Sequence, residues 1–133
     1  MAGKNETTTK FNVDITNLKK GITEANRQIK LANAQFKAAA AGMDDWATSS
    51  KGLEAKITQL KTTLTAQKSI LSSYEQQLKA IEQEFGENSA EADNMRIKYE
   101  NQRAKVIETQ KALGTYETKL TEVTRAQENG ATE

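Results

Sequence analysis

The chain has 133 residues, 36% of them apolar, and its charges nearly cancel at +1; it contains no proline, histidine or cysteine. Disulfides, thiolate chemistry and zinc sites of the common Cys/His kind are therefore excluded. The apolar content falls below the roughly 45–50% of compact domains, so a narrow helical seam fits better than a large core, and the lack of proline favours long uninterrupted helices.

The first element is expected to be a flexible N-terminus over 1–13. Its start, MAGKNETTTK, has no apolar stretch and is not a secretory signal. The following KFNVDI alternates and is expected to be briefly extended. Helix 1 is predicted over 14–41, capped by Asp14 or Thr16. Residues 1–42 carry seven Lys/Arg against three Asp/Glu. Without a dense basic stripe or stacking aromatics, that excess reads as a solvated face and not as a specific nucleic-acid surface.

A linker is predicted over 42–50. Its sequence, with the residues that follow, is GMDDWATSSKG, in which glycine, paired aspartates and a Ser-Ser cluster supply stop and start chemistry, with Ser50 as the expected cap. Residues 51–127 then read as two helices, 51–85 and 90–127, joined by GENS at 86–89. Gly86 suits the left-handed end of a helix and Ser89 the next cap, with Glu91 and Asp93 in the favourable first turn. A flexible tail is expected over 128–133.

A seven-residue apolar repeat runs through these helices. With Ile15 at heptad position a, 15 of 16 a positions up to Leu120 are apolar or aromatic, as are 13 of 17 d positions from Phe11 to Val123. Such a repeat is the signal for helices wound around partners. The predicted class is all-α: three long helices, the second and third an antiparallel hairpin or coiled coil. Its seam comprises Leu53, Ile57, Leu60, Leu64, Leu71, Tyr74, Leu78 and Ile81 facing Met95, Tyr99, Val106, Leu113, Tyr116 and Leu120.

The short GENS connection sets a register that pairs Leu78 with Met95 and Leu60 with Leu113. Opposite charges then meet at Glu82–Arg96, Glu75–Arg103 and Lys61–Glu117, while Glu84–Glu91 and Lys56–Lys119 clash. The repeat keeps its phase through both interruptions, which an independent hairpin does not require. An extended rod in an assembled state is therefore the alternative. Alanines 25, 32 and 39 at d let helices approach closely but bury little area, so helix 1 is expected to be the least stable alone. Gln67 and Gln102, polar at d, either set register or mark a loosely packed layer.

No catalytic, cofactor-binding or metal-binding set emerges. Asp44 and Asp45 read as loop chemistry in a segment with no pocket to shift their ionisation. No phosphate loop or calcium loop is present, no small-molecule substrate is indicated, and no run approaches the ~20 apolar residues of a membrane span. Trp46, the single tryptophan, either packs the helix junction or serves as a partner contact.

The segments NVDITNLKKGI, ANRQIKLANAQFKAA and AGMDDW, with GENSAEAD and a third helix after them, carry a further signal. From about Lys10 to Ala126 the chain resembles the N-terminal region of tape measure proteins of long-tailed phages and prophages of Gram-positive bacteria. The resemblance implies a non-enzymatic structural protein, extended inside the tail tube, around which tube subunits polymerise and which sets tail length. It implies tail tube proteins and tail assembly chaperones as partners, assembly in the host cytoplasm and residence in the virion. Family members run to many hundreds of residues, so the chain is expected to be either the N-terminal piece of a longer protein or a truncated remnant. The other functional expectation is a monomeric helical hairpin that docks a chaperone or another tail protein.

Overall fold

The computed structural model describes residues 2–132, with side chains described for 8–130. It is all-helical: α1 Ala2–Ala41, a 3₁₀ turn Trp46–Thr48, α2 Ser50–Phe85 and α3 Ala90–Thr132. Helices α2 and α3 form the antiparallel hairpin. The chain divides into two compact units, Met1–Arg27 with Ala66–Val106, and Gln28–Thr65 with Ile107–Glu133. Each takes a stretch from all three helices.

In the first unit, Ile81, Ala92 and Met95 form a buried cluster with Phe11, Tyr74 and Leu78 packed against it. Leu78 and Met95 thus share one layer of the α2–α3 interface. Arg96 reaches Glu82 across the helices at 3.8 Å, and the Gln102 amide donates to the Gln67 carbonyl oxygen at 3.1 Å. Of the other two cross-helix ion pairs expected among the described residues, Lys61–Glu117 does not form, and Glu75–Arg103 is replaced by local pairs. Glu75 bonds Lys79 on its own helix and Arg103 bonds Glu100. Neighbours one turn away are reached at less cost in side-chain entropy, and exposed pairs of either kind contribute little.

Helix α1 begins at Ala2, well before the expected start at 14, and KFNVDI is helical, not extended. Thr16 is no cap: its hydroxyl donates back to the Asn12 carbonyl inside the helix at 2.8 Å. Packing explains the difference. Phe11 lies edge-to-face against Phe85, with centroids 5.7 Å apart, and rests on the Ile81–Met95 cluster. Burying that ring rewards carrying the helix backward past Asp14. At the other end α3 continues to Thr132, beyond the expected 127.

The turn at 86–89 follows from its residues. Gly86 has φ +99°, the left-handed region that a Cβ disfavours, and its N–H donates to the Glu82 carbonyl at 2.9 Å. The Ser89 hydroxyl accepts the Ala92 N–H at 3.1 Å and caps α3, with Glu91 and Asp93 in the first turn. We expect Ser89→Ala to cost about 1 kcal/mol, read as a lower urea midpoint with an unchanged m value; no shift would mean that the cap is redundant.

The cap of α2 is Ser49, not Ser50. Ser49 Oγ accepts the Gly52 N–H at 3.0 Å, while the Ser50 hydroxyl donates to Gln127 Oε1 at 2.8 Å.

Candidate functional site

Burial on α1 and α3 follows the a and d positions. On α1 it runs through Phe11, Ile15, Leu18, Ile22, Ala25, Ile29, Ala32 and Phe36, but Ala39, the next d position, is exposed and not a close-approach site as expected. On α3 it runs through Ala92, Met95, Tyr99, Gln102, Val106, Thr109, Leu113, Tyr116, Leu120 and Val123. Of the hairpin seam, Leu53, Ile57, Ile81, Met95 and Val106 are buried; Leu60, Leu64, Leu71, Tyr74, Leu78, Tyr99, Leu113, Tyr116 and Leu120 are half-buried. Gln102 is buried with its amide hydrogen-bonded to the Gln67 carbonyl, while the Gln67 side-chain oxygen is buried without a hydrogen-bond partner among the described residues, so this polar layer is only partly satisfied.

Helix α2 has a second stripe that the a/d repeat does not contain. Gly52, Lys56, Gln59, Thr63, Ala66, Ile70, Ser73, Gln77 and Ala80 are all buried or half-buried. They face α1: the Ser73 hydroxyl donates to the Leu18 carbonyl at 2.9 Å, and Gln59 Nε2 donates to Asn33 Oδ1 at 2.8 Å. Gln77, 1% exposed, donates to Ser73 Oγ at 3.2 Å. The sequence signal for this stripe was a small residue at four of five successive seventh positions, Gly52, Ala66, Ser73 and Ala80, with Gln59 the exception. It is easily missed, because alanine, serine and glutamine in a helix usually read as a solvated face.

The chemically distinct feature lies in the second unit, at the α1–α2 junction. Trp46 packs edge-to-face on Phe36, with centroids 5.0 Å apart at 89°, and meets Tyr116 at 5.8 Å and 43°. Lys56 Nζ sits 4.7 Å from the Phe36 centroid, 5.7 Å from that of Trp46 and 6.0 Å from that of Tyr116. Three elements thus close three rings around one ammonium. The expected Lys56–Lys119 clash does not set the position of Lys56, which turns to the aromatic faces. Their negative quadrupoles attract the cation, while burial opposes it and holds the Lys56 pKa below its ordinary value.

The sign of the pH effect follows from that depression. Between the folded and unfolded pKa values the unfolded chain binds more protons, so this residue's contribution to stability rises with pH through the window just below the ordinary lysine pKa. Subtracting the pH–stability curve of Lys56→Met from that of the wild type is expected to leave this rising step. A falling step would mean that the ring faces outweigh burial.

This arrangement packs the helix junction. The adjacent groove, lined by residues including Ala32, Phe36, Ala55 and Gln59, encloses about 170 Å³, less than the ~300 Å³ at which pockets for drug-sized ligands begin. Among the described residues there is no group of three or more His, Cys, Asp or Glu placed to hold a metal ion, and no helix is long and apolar enough to cross a membrane. No family model, curated protein or solved structure matches this chain.

Proposed function

We propose that the chain is a structural tail protein, the N-terminal part of a tape measure around which the tail tube assembles and whose length sets that of the tail. The observation that carries this reading is the ordered set of segments from NVDITNLKKGI to GENSAEAD, by their resemblance to that family. The seven-residue repeat, which keeps its phase across both helix breaks, is compatible with an extended assembled state but by itself indicates only helices wound around partners. In this reading the chain self-associates through helices, lies inside the tail in its assembled state and performs no catalysis.

Deleting whole heptads from the parent gene tests the proposal. Tails should shorten by about 10 Å per heptad removed, at 1.5 Å per helical residue; tails of unchanged length would sink it.

One observation favours a second reading. The seam is already covered within a single chain, as the buried Leu53, Ile57, Ile81, Met95 and Val106 attest. A monomeric hairpin that docks a tail chaperone, using the ring cluster about Trp46, is consistent with that. Pull-down of tail assembly proteins by the wild type but not by a folded Trp46→Phe variant would favour docking over scaffolding.

A further inference from the structure

The junction between α1 and α2 is folded under a steric condition set by one residue. A Cβ on Gly52 would lie 2.1 Å from the Trp46 carbonyl oxygen, 2.6 Å from its Cα and 2.7 Å from its carbonyl carbon. These are backbone atoms, so relief requires moving the 3₁₀ turn itself. Gly52 lies within α2 and its φ is not positive; it is needed for space and not for conformational freedom. Gly42 is the contrast: a Cβ there meets nothing within 4 Å.

Becoming helical would give up the Trp46 ring contacts and the Asp45 and Ser49 caps, but the sequence of the junction does not forbid it. The junction contains no proline, and no residue of the 3₁₀ turn is buried. Phe36, Met43, Ser50 and Ile57 occupy successive a positions, and Ala39, Trp46 and Leu53 successive d positions. If 42–49 became helical, α1 and α2 would form one helix with one unbroken seam.

Opening would lift α1 off the hairpin and leave two complementary surfaces uncovered on each chain. A second copy supplies the fit. The groove that holds α1 is matched to that sequence, so the Leu18–Ser73, Asn33–Gln59 and Phe36–Lys56 contacts can be remade between chains. The geometry permits it: Leu18 faces Ser73 and Asn33 faces Gln59, so both pairs are centred on residues 45–46. Two straightened chains running antiparallel about a dyad at that point keep the same register.

We propose that residues 42–49 are a hinge held folded by Gly52, and that its open form is a swapped dimer in which α1 of each copy docks on the α2–α3 hairpin of the other. The inference stands whether or not the chain is a tail component.

Light scattering across a concentration series on the wild type, Gly42→Ala and Gly52→Ala tests it. Alanine at 42 favours the helical hinge about fivefold per chain, hence about twenty-five-fold in the dimerisation constant. Gly52→Ala adds the loss of the folded turn and should shift further toward dimer. Because the chain has no cysteine, nitroxides on cysteines introduced at the exposed Lys30 and Thr62 report the hinge directly. With labelled chains diluted in unlabelled ones, the intrachain distance should pass from within about 20 Å, that of packed neighbouring helices, to about 48 Å along one straight helix.

A Gly52→Ala protein that stays monomeric, or a dimer that keeps the short distance, overturns the proposal. If Gly52→Ala loses its helical signal, Gly42→Ala decides: its Cβ is free of contacts in the folded turn, and an unchanged dimerisation constant there overturns it equally.

Discussion

Leu53→Ala is expected to be the most damaging single truncation in the hairpin, costing about 3–5 kcal/mol. Leu53 has no exposed surface and sits in the first turn of α2, where its N–H bonds the Ser49 carbonyl at 3.0 Å. The neighbours of a helix start fixed by a cap and by the Trp46 backbone have little freedom to collapse into the vacated volume, which places the cost in the upper part of the usual range. For a chain of this size the loss should lower the melting temperature by about 10–15 °C. Thermal circular dichroism and urea titration both read it, with a lower midpoint at unchanged m value. Ile97→Ala provides the contrast, since Ile97 is 59% exposed and should change stability by no more than about 0.5 kcal/mol. Similar losses for the two variants would mean that the Leu53 layer does not hold the hairpin.

The contrast between those two positions also separates what the sequence made legible from what it did not. The repeat distinguishes Leu53 from Ile97, because only the former falls on the a/d seam, and burial along α1 and α3 follows that seam closely. The turn at 86–89 was legible for a local reason: glycine and serine each have one dominant use there, and neither depends on distant residues. The start of α1 was not legible. Its residues Lys10 to Asp14 carry ambiguous local preferences, and a tertiary contact, Phe11 against Phe85, decides among them.

The second stripe of α2 was hidden for the opposite reason. A central helix must serve two neighbours, and its second interface is built from Ala66, Ser73 and Gln77, residue types that carry no apolar signal. Gly52 lies inside α2, within the predicted helix, but no local signal shows why it must be glycine. Its requirement is set by a backbone six residues earlier, which only the three-dimensional path of the turn brings close. Lys56 is similar, since its three ring partners come from α1, the 3₁₀ turn and α3.

Trp46→Ala is expected to cost about 2–4 kcal/mol, somewhat less than a fully buried aromatic because Trp46 is half-buried. Several losses combine: the apolar area of the indole, its edge-to-face contact with Phe36 and tilted contact with Tyr116, and one of the three faces around the Lys56 ammonium. Trp46→Phe keeps a ring in the same place and should restore more than half. The decisive measurement is a double-mutant cycle with Phe36. If Trp46 is held by its own unit, Trp46→Ala and Phe36→Ala should be coupled by about 0.5–1.5 kcal/mol, the range for aromatic pairs beyond simple burial. A coupling near zero, with binding to a tail protein lost in Trp46→Ala, would shift the residue from junction packing to partner contact. The fluorescence of this single tryptophan reports the same junction without a label. Under the hinge proposal the Phe36 ring leaves Trp46 on opening, and with the dyad at residues 45–46 it meets the other chain about 14 Å along the helix from Trp46. The emission spectra of compact monomer and swapped dimer should therefore differ, and identical spectra would argue against the open hinge.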